Sequence, residues 1–177
     1  MYRIRTAILT AALSLALVAA PVAEAAKCPS PRKDGKTVGA VIADGVTVNV
    51  KNVDYKPGKD ITPPASPLNA GVSLLHQPLS SKEGSSVIVW HVNYRGCQGK
   101  LNVINDEKPG FTFGVIDENG DLVEYAIRER LQVKKGDYEE DWFMLSGKRQ
   151  LIMVTCIGKV VRGSYLDNLV IIATPVS

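Results

Sequence analysis

The sequence has few of the residues on which several familiar chemistries depend. Its 177 residues include only three cysteines and two histidines, and aromatic residues make up 6% of the chain. No His-Glu-x-x-His or Cys-x-x-Cys pair, glycine-rich phosphate loop or Gly-x-Ser-x-Gly elbow occurs. Zinc, nucleotide and serine-hydrolase chemistry therefore lack a motif, and neither a metal nor another cofactor is expected.

An excess of charge of one sign is also lacking. The chain has 21 Lys and Arg against 18 Asp and Glu, a net charge of +3, which gives no reason to expect nucleic-acid binding. A 45% apolar content with 15 Gly and 10 Pro is unlike disordered or collagenous chains and suits a fold with many turns. The length is enough for one well-buried domain.

The first 26 residues have the composition of an export signal. Arg3 and Arg5 precede an apolar run over residues 6–22, and residues 23–25 (Ala-Glu-Ala) offer a small-x-small cleavage site. The run also borders on the length that spans a bilayer, so an uncleaved membrane anchor is the alternative. Both interpretations place the following domain outside the cytoplasm, either secreted or held at the membrane.

The expected exported domain has three cysteines, which is an odd number. Disulfides form outside the cytoplasm, and one of Cys28, Cys97 and Cys156 must lack a partner within the chain. Cys28 is close to the start of the mature chain and Cys97 lies in a polar, glycine-flanked segment, whereas Cys156 follows the apolar run at residues 151–155. This placement favours a Cys28–Cys97 bond. The alternative is that all three are reduced and structural.

Along the mature chain the hydrophobic pattern is that of β-strands. β-Branched runs at residues 38–42 and 46–53 flank Asp44-Gly45, and a proline-rich connection over residues 56–67 follows. Further strands are predicted over residues 87–94, 111–116, 151–155 and 169–174. Only residues 138–145 favour a helical turn or two, so the pattern predicts a small all-β barrel or sandwich.

One predicted strand alternates clearly between apolar and polar residues. Its apolar residues are expected on one face and its charged residues on the other, which is typical of a half-buried strand. The apolar set is Val123, Tyr125, Ile127, Leu131 and Val133. Asn119-Gly120, just before this strand, predicts a type I′ hairpin turn.

A histidine, a cysteine and an arginine then stand out by their order. His91 lies at a strand in Val-Trp-His-Val, Cys156 ends a later strand after Thr155, and Arg162 lies in the short loop before the last strand. This order, with the C-terminal stretch LIMVTCIGKVVRGSYLDNLVIIA, resembles the sortases.

The closing strand of that stretch narrows the resemblance. It is introduced by Tyr-x-Asp-Asn at Tyr165, Asp167 and Asn168, which is similar to class F and class E sortases of Gram-positive bacteria. The resemblance implies a closed β-barrel of about eight strands. It divides the chain into a signal or anchor at residues 1–26, an exposed linker at residues 27–37 and a sortase-like catalytic barrel at residues 38–177.

The resemblance also implies roles for the three residues. Cys156 would attack the Thr-Gly bond of a Leu-Pro-x-Thr-Gly-like sorting signal and form a thioester. His91 would protonate the leaving amine and then accept a proton from an incoming amine. Arg162 would hold the oxyanion or the bound signal. Asn168 or a backbone N–H is the alternative donor if Arg162 turns outward.

Three positions differ from the family pattern. Trp90 and Asn93 stand where the family usually has Gly before and Asp after the histidine, and Ile157 replaces a Gly after the cysteine. These exchanges change the shape and charge beside the expected base and nucleophile.

The expected partners follow from the resemblance. They are surface proteins with sorting signals, and an acceptor amine on peptidoglycan or a pilin, and the enzyme is expected to work as a monomer at the outer face of the membrane without a cofactor. A thiol hydrolase on the same fold and a peptide-binding barrel without catalysis remain the alternatives. His76 has no such context and is expected to be a loop residue.

Overall fold

The β-branched runs of the sequence form ten strands in the computed structural model, which describes residues 28–54 and 61–176. The strands are β1 Thr37–Ala43, β2 Val46–Val53, β3 Ala70–Ser73, β4 Ser85–Val89, β5 Asn93–Tyr94, β6 Cys97–Gln98, β7 Thr112–Ile116, β8 Leu122–Lys134, β9 Gln150–Val161 and β10 Ser164–Pro175. Short 3₁₀ turns occupy Pro31–Asp34, Lys100–Ile104 and Glu140–Phe143. The expected export signal or anchor over residues 1–26 lies outside the described residues.

Eight of these strands close into a barrel in the order β1-β2-β3-β4-β9-β10-β8-β7. The β2–β3 and β4–β9 pairs are parallel and the other barrel pairs are antiparallel. β5 and β6 form a separate two-stranded hairpin directly after β4. The all-β fold and the closed barrel of eight strands are therefore confirmed, and the short turn near residue 140 is present as predicted.

The central strands of the barrel are buried on both faces. Ile88, Met153 and Ile171 point into the barrel, where they join the main apolar core. Their outward-facing neighbours Val87 and Ile152 pack in a second cluster beneath the loop at residues 135–149. This double burial explains why β4, β9 and β10 are continuous apolar runs in the sequence instead of alternating ones.

The alternation predicted for β8 is interrupted by a bulge. Ile172 pairs with Glu129, whereas the next residue of β10 pairs with Ile127, so Arg128 is an extra residue in the ladder. Tyr125 and Ile127 face the barrel core, but Leu131 and Val133 belong to the outer cluster. The single-face prediction is wrong past Arg128, because an extra residue moves every later side chain to the opposite face.

Two turns show how glycine placement decides hairpin type. Gly120 has a φ of +89° and donates to the Asp117 carbonyl, while Asn119 is not among the described residues with positive φ. The predicted type I′ turn at Asn119-Gly120 is therefore wrong, since that turn needs positive φ at both central residues. At the end of the β9–β10 hairpin, Arg162 and Gly163 do have this geometry, with φ of +50° and +80°.

Candidate active site

A groove of about 690 Å³ crosses the outer face of β4 and β9. It is lined by apolar side chains with a small number of polar groups, and by no carboxylate among the described residues. The lining residues are Ile61, Thr62, Pro63, Leu75, His76, Val87, Val89, Trp90, His91, Lys135, Gly136, Tyr138, Phe143, Val154, Thr155, Cys156 and Asn168. Such a lining fits a largely apolar, extended ligand.

Cys156 lies in the wall of this groove. It is the one cysteine of the described residues that is not in a disulfide, and its side chain is partly exposed. Side chains alternate along β9, so Thr155 is buried toward the barrel while Cys156 faces the groove. A partly exposed thiol on a rigid strand can meet an electrophile, unlike a buried structural cysteine.

The backbone N–H of Cys156 faces the β4 side of β9. The Trp90 N–H donates to the Val154 carbonyl across the parallel β4–β9 pair. Cys156 lies two residues after Val154 on β9, so its N–H and C=O point to the same side as those of Val154. β4 has already ended at this level of the sheet. The Cys156 N–H therefore points past the end of β4 and not toward β10.

His91 follows β4 and is held by the backbone on either side of it. Thr155 Oγ1 donates to the Trp90 carbonyl at 2.7 Å, which ties the start of this segment to β9. Asn102 Nδ2 donates to the Val92 carbonyl at 2.7 Å, which ties its end to the 3₁₀ turn. These two bonds fix the backbone before and after His91, whose side chain lines the groove.

The surroundings of the His91 ring have opposing effects on its pKa. Burial lowers the pKa of His91 below 6.5, while the negative charge of Asp34 and a hydrogen bond to the Pro64 backbone act to raise it. Proline has no N–H, so the ring nitrogen donates to the Pro64 carbonyl. The ring also stacks on Tyr94, with centroids 4.6 Å apart and planes 12° apart. A neutral imidazole near pH 7 can accept a thiol proton.

Asn168 completes the wall beside Cys156. The two residues are direct partners on β10 and β9. Asn168 is 7% exposed and its Nδ2 donates to the hydroxyl of Tyr138, which lies in the loop between β8 and β9. Tyr138 was not predicted as a site residue from the sequence. The sequence analysis predicted only that residues 138–145 make a helical turn or two.

Arg162 occupies a different part of the molecule. It is exposed in the turn between Val161 and Ser164, six residues beyond Cys156 along β9. At a rise of about 3.3 Å per residue, this places it on the order of 20 Å from the nucleophile. The structure therefore brings together His91, Cys156 and Asn168, and it does not bring Arg162 to them.

The segment that precedes β1 is fastened beside the histidine. Cys28 and Cys97 form a disulfide with Cα atoms 5.5 Å apart, which ties this segment to the β5–β6 hairpin. The Asp34 carboxylate accepts hydrogen bonds from the Ser66 N–H at 3.0 Å and from Asn69 Nδ2 at 2.7 Å. The segment is exposed, but these bonds hold its one carboxylate close enough to act on His91.

His76 lies in the loop between β3 and β4 and lines the same groove. Its ring is 5.3 Å from that of Phe143, its Nδ1 is 2.9 Å from Ser73 Oγ, and burial lowers its pKa. The loop position agrees with the sequence-based expectation. Its place in the groove had no sequence signal, because it depends on how two distant loops meet.

Within residues 28–54 and 61–176, no group of three or more His, Cys, Asp or Glu side chains is arranged to hold a metal ion. No helix in these ranges has the length and apolarity needed to cross a membrane.

The barrel matches solved structures of sortases. Sortase C1 of Streptococcus agalactiae aligns with a TM-score of 0.60 and 13% identity, over 80% of this chain and 69% of that one. Sortase A from Corynebacterium diphtheriae gives 0.61 and 14%, over 80% and 61%. Sortase C from Clostridium perfringens SM101 gives 0.57 and 14%, over 81% and 72%.

These likenesses establish that the chain has the sortase fold. The chain spans less than two thirds of the length of the Corynebacterium diphtheriae sortase A chain. No protein-family model and no curated protein matches the sequence.

Proposed function

We propose that this chain is a cysteine transpeptidase of the sortase type, similar to class F and class E enzymes. The observation that carries the proposal is the meeting of His91 and Cys156 in one apolar groove on a sortase barrel. The two residues are 65 positions apart in the sequence and come together only through the parallel β4–β9 pairing. A thiol and an imidazole in one cleft are the residues that nucleophilic acyl transfer needs.

The first half-reaction forms a thioester. His91 accepts the Cys156 proton while the sulfur attacks the Thr carbonyl carbon of a Leu-Pro-x-Thr-Gly-like signal. The resulting tetrahedral intermediate carries a negative oxygen, which the Cys156 N–H and the Asn168 carboxamide stabilise. The intermediate collapses when the carbon–nitrogen bond breaks, and the proton on His91 goes to the leaving glycine amine.

The second half-reaction transfers the acyl group to an amine. An incoming amine attacks the thioester carbonyl, His91 takes one of its protons, and the Cys156 sulfur leaves and recovers that proton. A new amide and the starting enzyme result. The acceptor is an amine of peptidoglycan or of a pilin lysine, and the donors are surface proteins that carry sorting signals.

Asn168 takes the donor role that the sequence assigned to Arg162. Asn168 faces the groove beside Cys156, whereas Arg162 lies at the far end of the β9–β10 hairpin. The disulfide between Cys28 and Cys97 supports a location outside the cytoplasm, secreted or membrane-anchored, because such bonds persist in oxidising compartments.

Intact-mass spectrometry tests the proposal directly. The protein is incubated with a library of Leu-Pro-x-Thr-Gly-like peptides, with and without an added amine, beside the variants Cys156→Ala and Cys28→Ser/Cys97→Ser. We expect an acyl adduct that depends on Cys156 and that the amine converts to an amide product. The second variant keeps Cys156 and controls for general effects of cysteine loss.

Two outcomes would replace the proposal. An adduct that resolves only with water, even at high amine concentration, indicates a thiol hydrolase. The absence of any cleaved peptide, together with Cys156 alkylation no faster than that of free cysteine, indicates a peptide-binding barrel without catalysis.

A further inference from the structure

One N–H of the Asn168 carboxamide donates to Tyr138, and the second N–H is available to a bound ligand. Each side-chain amide nitrogen carries two hydrogens. Asn168 Nδ2 donates to Tyr138 Oη, which accounts for one of them. The bond to Tyr138 fixes the plane of the carboxamide and therefore the direction of the second hydrogen.

Asn168 lies on β10 opposite Cys156, so the direction of its second N–H matters for the candidate nucleophile. Cys156 and Asn168 are directly opposite, and because the Cys156 backbone groups face away from β10, they form a non-hydrogen-bonded pair. Side chains of such pairs approach closely, with Cβ atoms about 4.5–5.5 Å apart. Both side chains line the groove, so both lie on the same face of the sheet.

Tyr138 is itself held firmly. Its ring meets the rings of Trp142 and Phe143 edge to face, with centroids 6.4 and 5.8 Å away. Trp142 is buried at 5% exposure and anchors the loop in the outer cluster. Gln150 Nε2 donates to the Asp141 carbonyl at 2.9 Å, which fastens the same loop to the start of β9.

We infer that Tyr138 is a positioning residue, which orients the Asn168 carboxamide so that its second N–H meets the oxyanion formed at Cys156. This inference rests on the proposed function, since it concerns the acyl-transfer step. Tyr138 does not touch the reacting atoms and acts only through Asn168. The loop between β8 and β9 thus contributes to catalysis through one hydrogen bond as well as by lining the groove.

Two small probes separate this role from a general structural one. p-Nitrophenyl acetate acylates a thiol through a tetrahedral oxyanion, whereas iodoacetamide alkylates it by displacement at a saturated carbon, where no oxyanion forms. Neither probe requires the sorting motif to be known. Both rates are measured on the protein and on Tyr138→Phe, Asn168→Ala, the double variant and Tyr165→Phe. The last is a matched control because Tyr165 lies on the hairpin outside the groove lining.

We expect acylation of Cys156 to fall about 100-fold in Asn168→Ala, the loss typical of one oxyanion donor. It should fall about tenfold in Tyr138→Phe, which keeps the ring packing but not the oxygen that accepts the hydrogen bond. The double variant should be no slower than Asn168→Ala, because Tyr138 acts through that residue. Alkylation should change less than twofold in every variant, and Tyr165→Phe should match the unaltered protein.

Each contrary result has its own meaning. The positioning role is overturned if Tyr138→Phe is acylated as fast as the unaltered protein. It is also overturned if the double variant is acylated more slowly than Asn168→Ala. A parallel fall in alkylation overturns it too, because the effect is then structural. If the unaltered protein is acylated no faster than free cysteine, the proposed function fails and the role of Tyr138 fails with it.

Discussion

Gly99 lies so close to the backbone of His91 that a Cβ built on it would overlap the His91 carbonyl oxygen and stand 3.0 Å from the carbonyl carbon. The φ of Gly99 is −64°, which any residue can adopt, so contact and not backbone conformation requires glycine here. The requirement places a steric constraint directly behind the candidate base.

Replacing Gly99 by alanine should therefore displace His91. We expect Gly99→Ala to lower the free energy of unfolding by about 1–3 kcal/mol, as overpacking does, and to slow Cys156 acylation. Thermal unfolding and p-nitrophenyl acetate kinetics measure the two effects. Lys100→Ala, an exposed neighbour, is the control. Unchanged acylation in a destabilised Gly99→Ala protein would show that the position of His91 does not matter for this step.

Removal of Arg162 separates the sequence-based assignment from the structural one. Because Arg162 is exposed at the tip of the hairpin, we expect Arg162→Ala to acylate Cys156 within about twofold of the unaltered protein, as surface substitutions usually do. Asn168→Ala is the positive control. A loss in Arg162→Ala as large as that in Asn168→Ala would show that the hairpin folds back over the groove during the reaction.

The ionisation of His91 can be observed in isolation, because the chain has only two histidines. In His76→Asn the remaining imidazole signal in proton NMR belongs to His91. Burial should place its pKa below 6.5, and Asp34→Asn should lower that pKa further by removing a negative charge. Asp44→Asn, an exposed carboxylate on the β1–β2 turn, is the control. A higher pKa in Asp34→Asn would contradict the assigned electrostatics.

The same shifts predict how stability depends on pH. Histidine in the unfolded chain takes up a proton near pH 6.5, whereas His91 and His76 in the fold do so only at lower pH. Below pH 6.5 the unfolded chain therefore binds more protons at these two residues than the folded chain does. As a result, they make the free energy of unfolding fall as the pH drops through that value. Urea titrations of the protein and of His76→Asn should show a weaker pH dependence in the variant.

The Cys28–Cys97 bond closes a loop with a sequence separation of 69 residues. A disulfide of this kind contributes about 2–4 kcal/mol, so Cys28→Ser/Cys97→Ser should unfold at a lower urea concentration than Cys156→Ser. In unreduced protein an alkylating reagent should modify Cys156 alone, which peptide mapping detects. Free alkylation of Cys28 and Cys97 in that experiment would show that the two cysteines are not bonded.

The sequence predicted the strands that local pattern determines. The β2 bounds at Val46–Val53 were predicted residue for residue, and the apolar runs of β9 and β10 were located although both strands extend further. β3 was not predicted, because Ala70–Ser73 is a short strand held by its two neighbours. The Arg128 bulge was also not predictable, since only the pairing with β10 reveals the extra residue.

The residues of the candidate site also include some that the sequence could predict and some that it could not. His91 and Cys156 could be selected by residue type and by their order along the chain, although β9 continues past Cys156 to Val161. The location of Arg162 depended on whether residues 157–166 form a loop beside the groove or a continued hairpin, and the positive φ of Arg162 and Gly163 decides for the hairpin. Tyr138 and His76 required the packing of loops that are distant in the sequence.

The order of the three cysteines along the chain has a consequence for maturation. A chain that emerges with its N-terminus first presents Cys28, then Cys97, and only afterwards Cys156. The native disulfide joins the first two, so in an oxidising compartment it can close before the third sulfur is available to compete. The sequence thus lowers the chance that the thiol in the groove is consumed by mispairing while the protein folds.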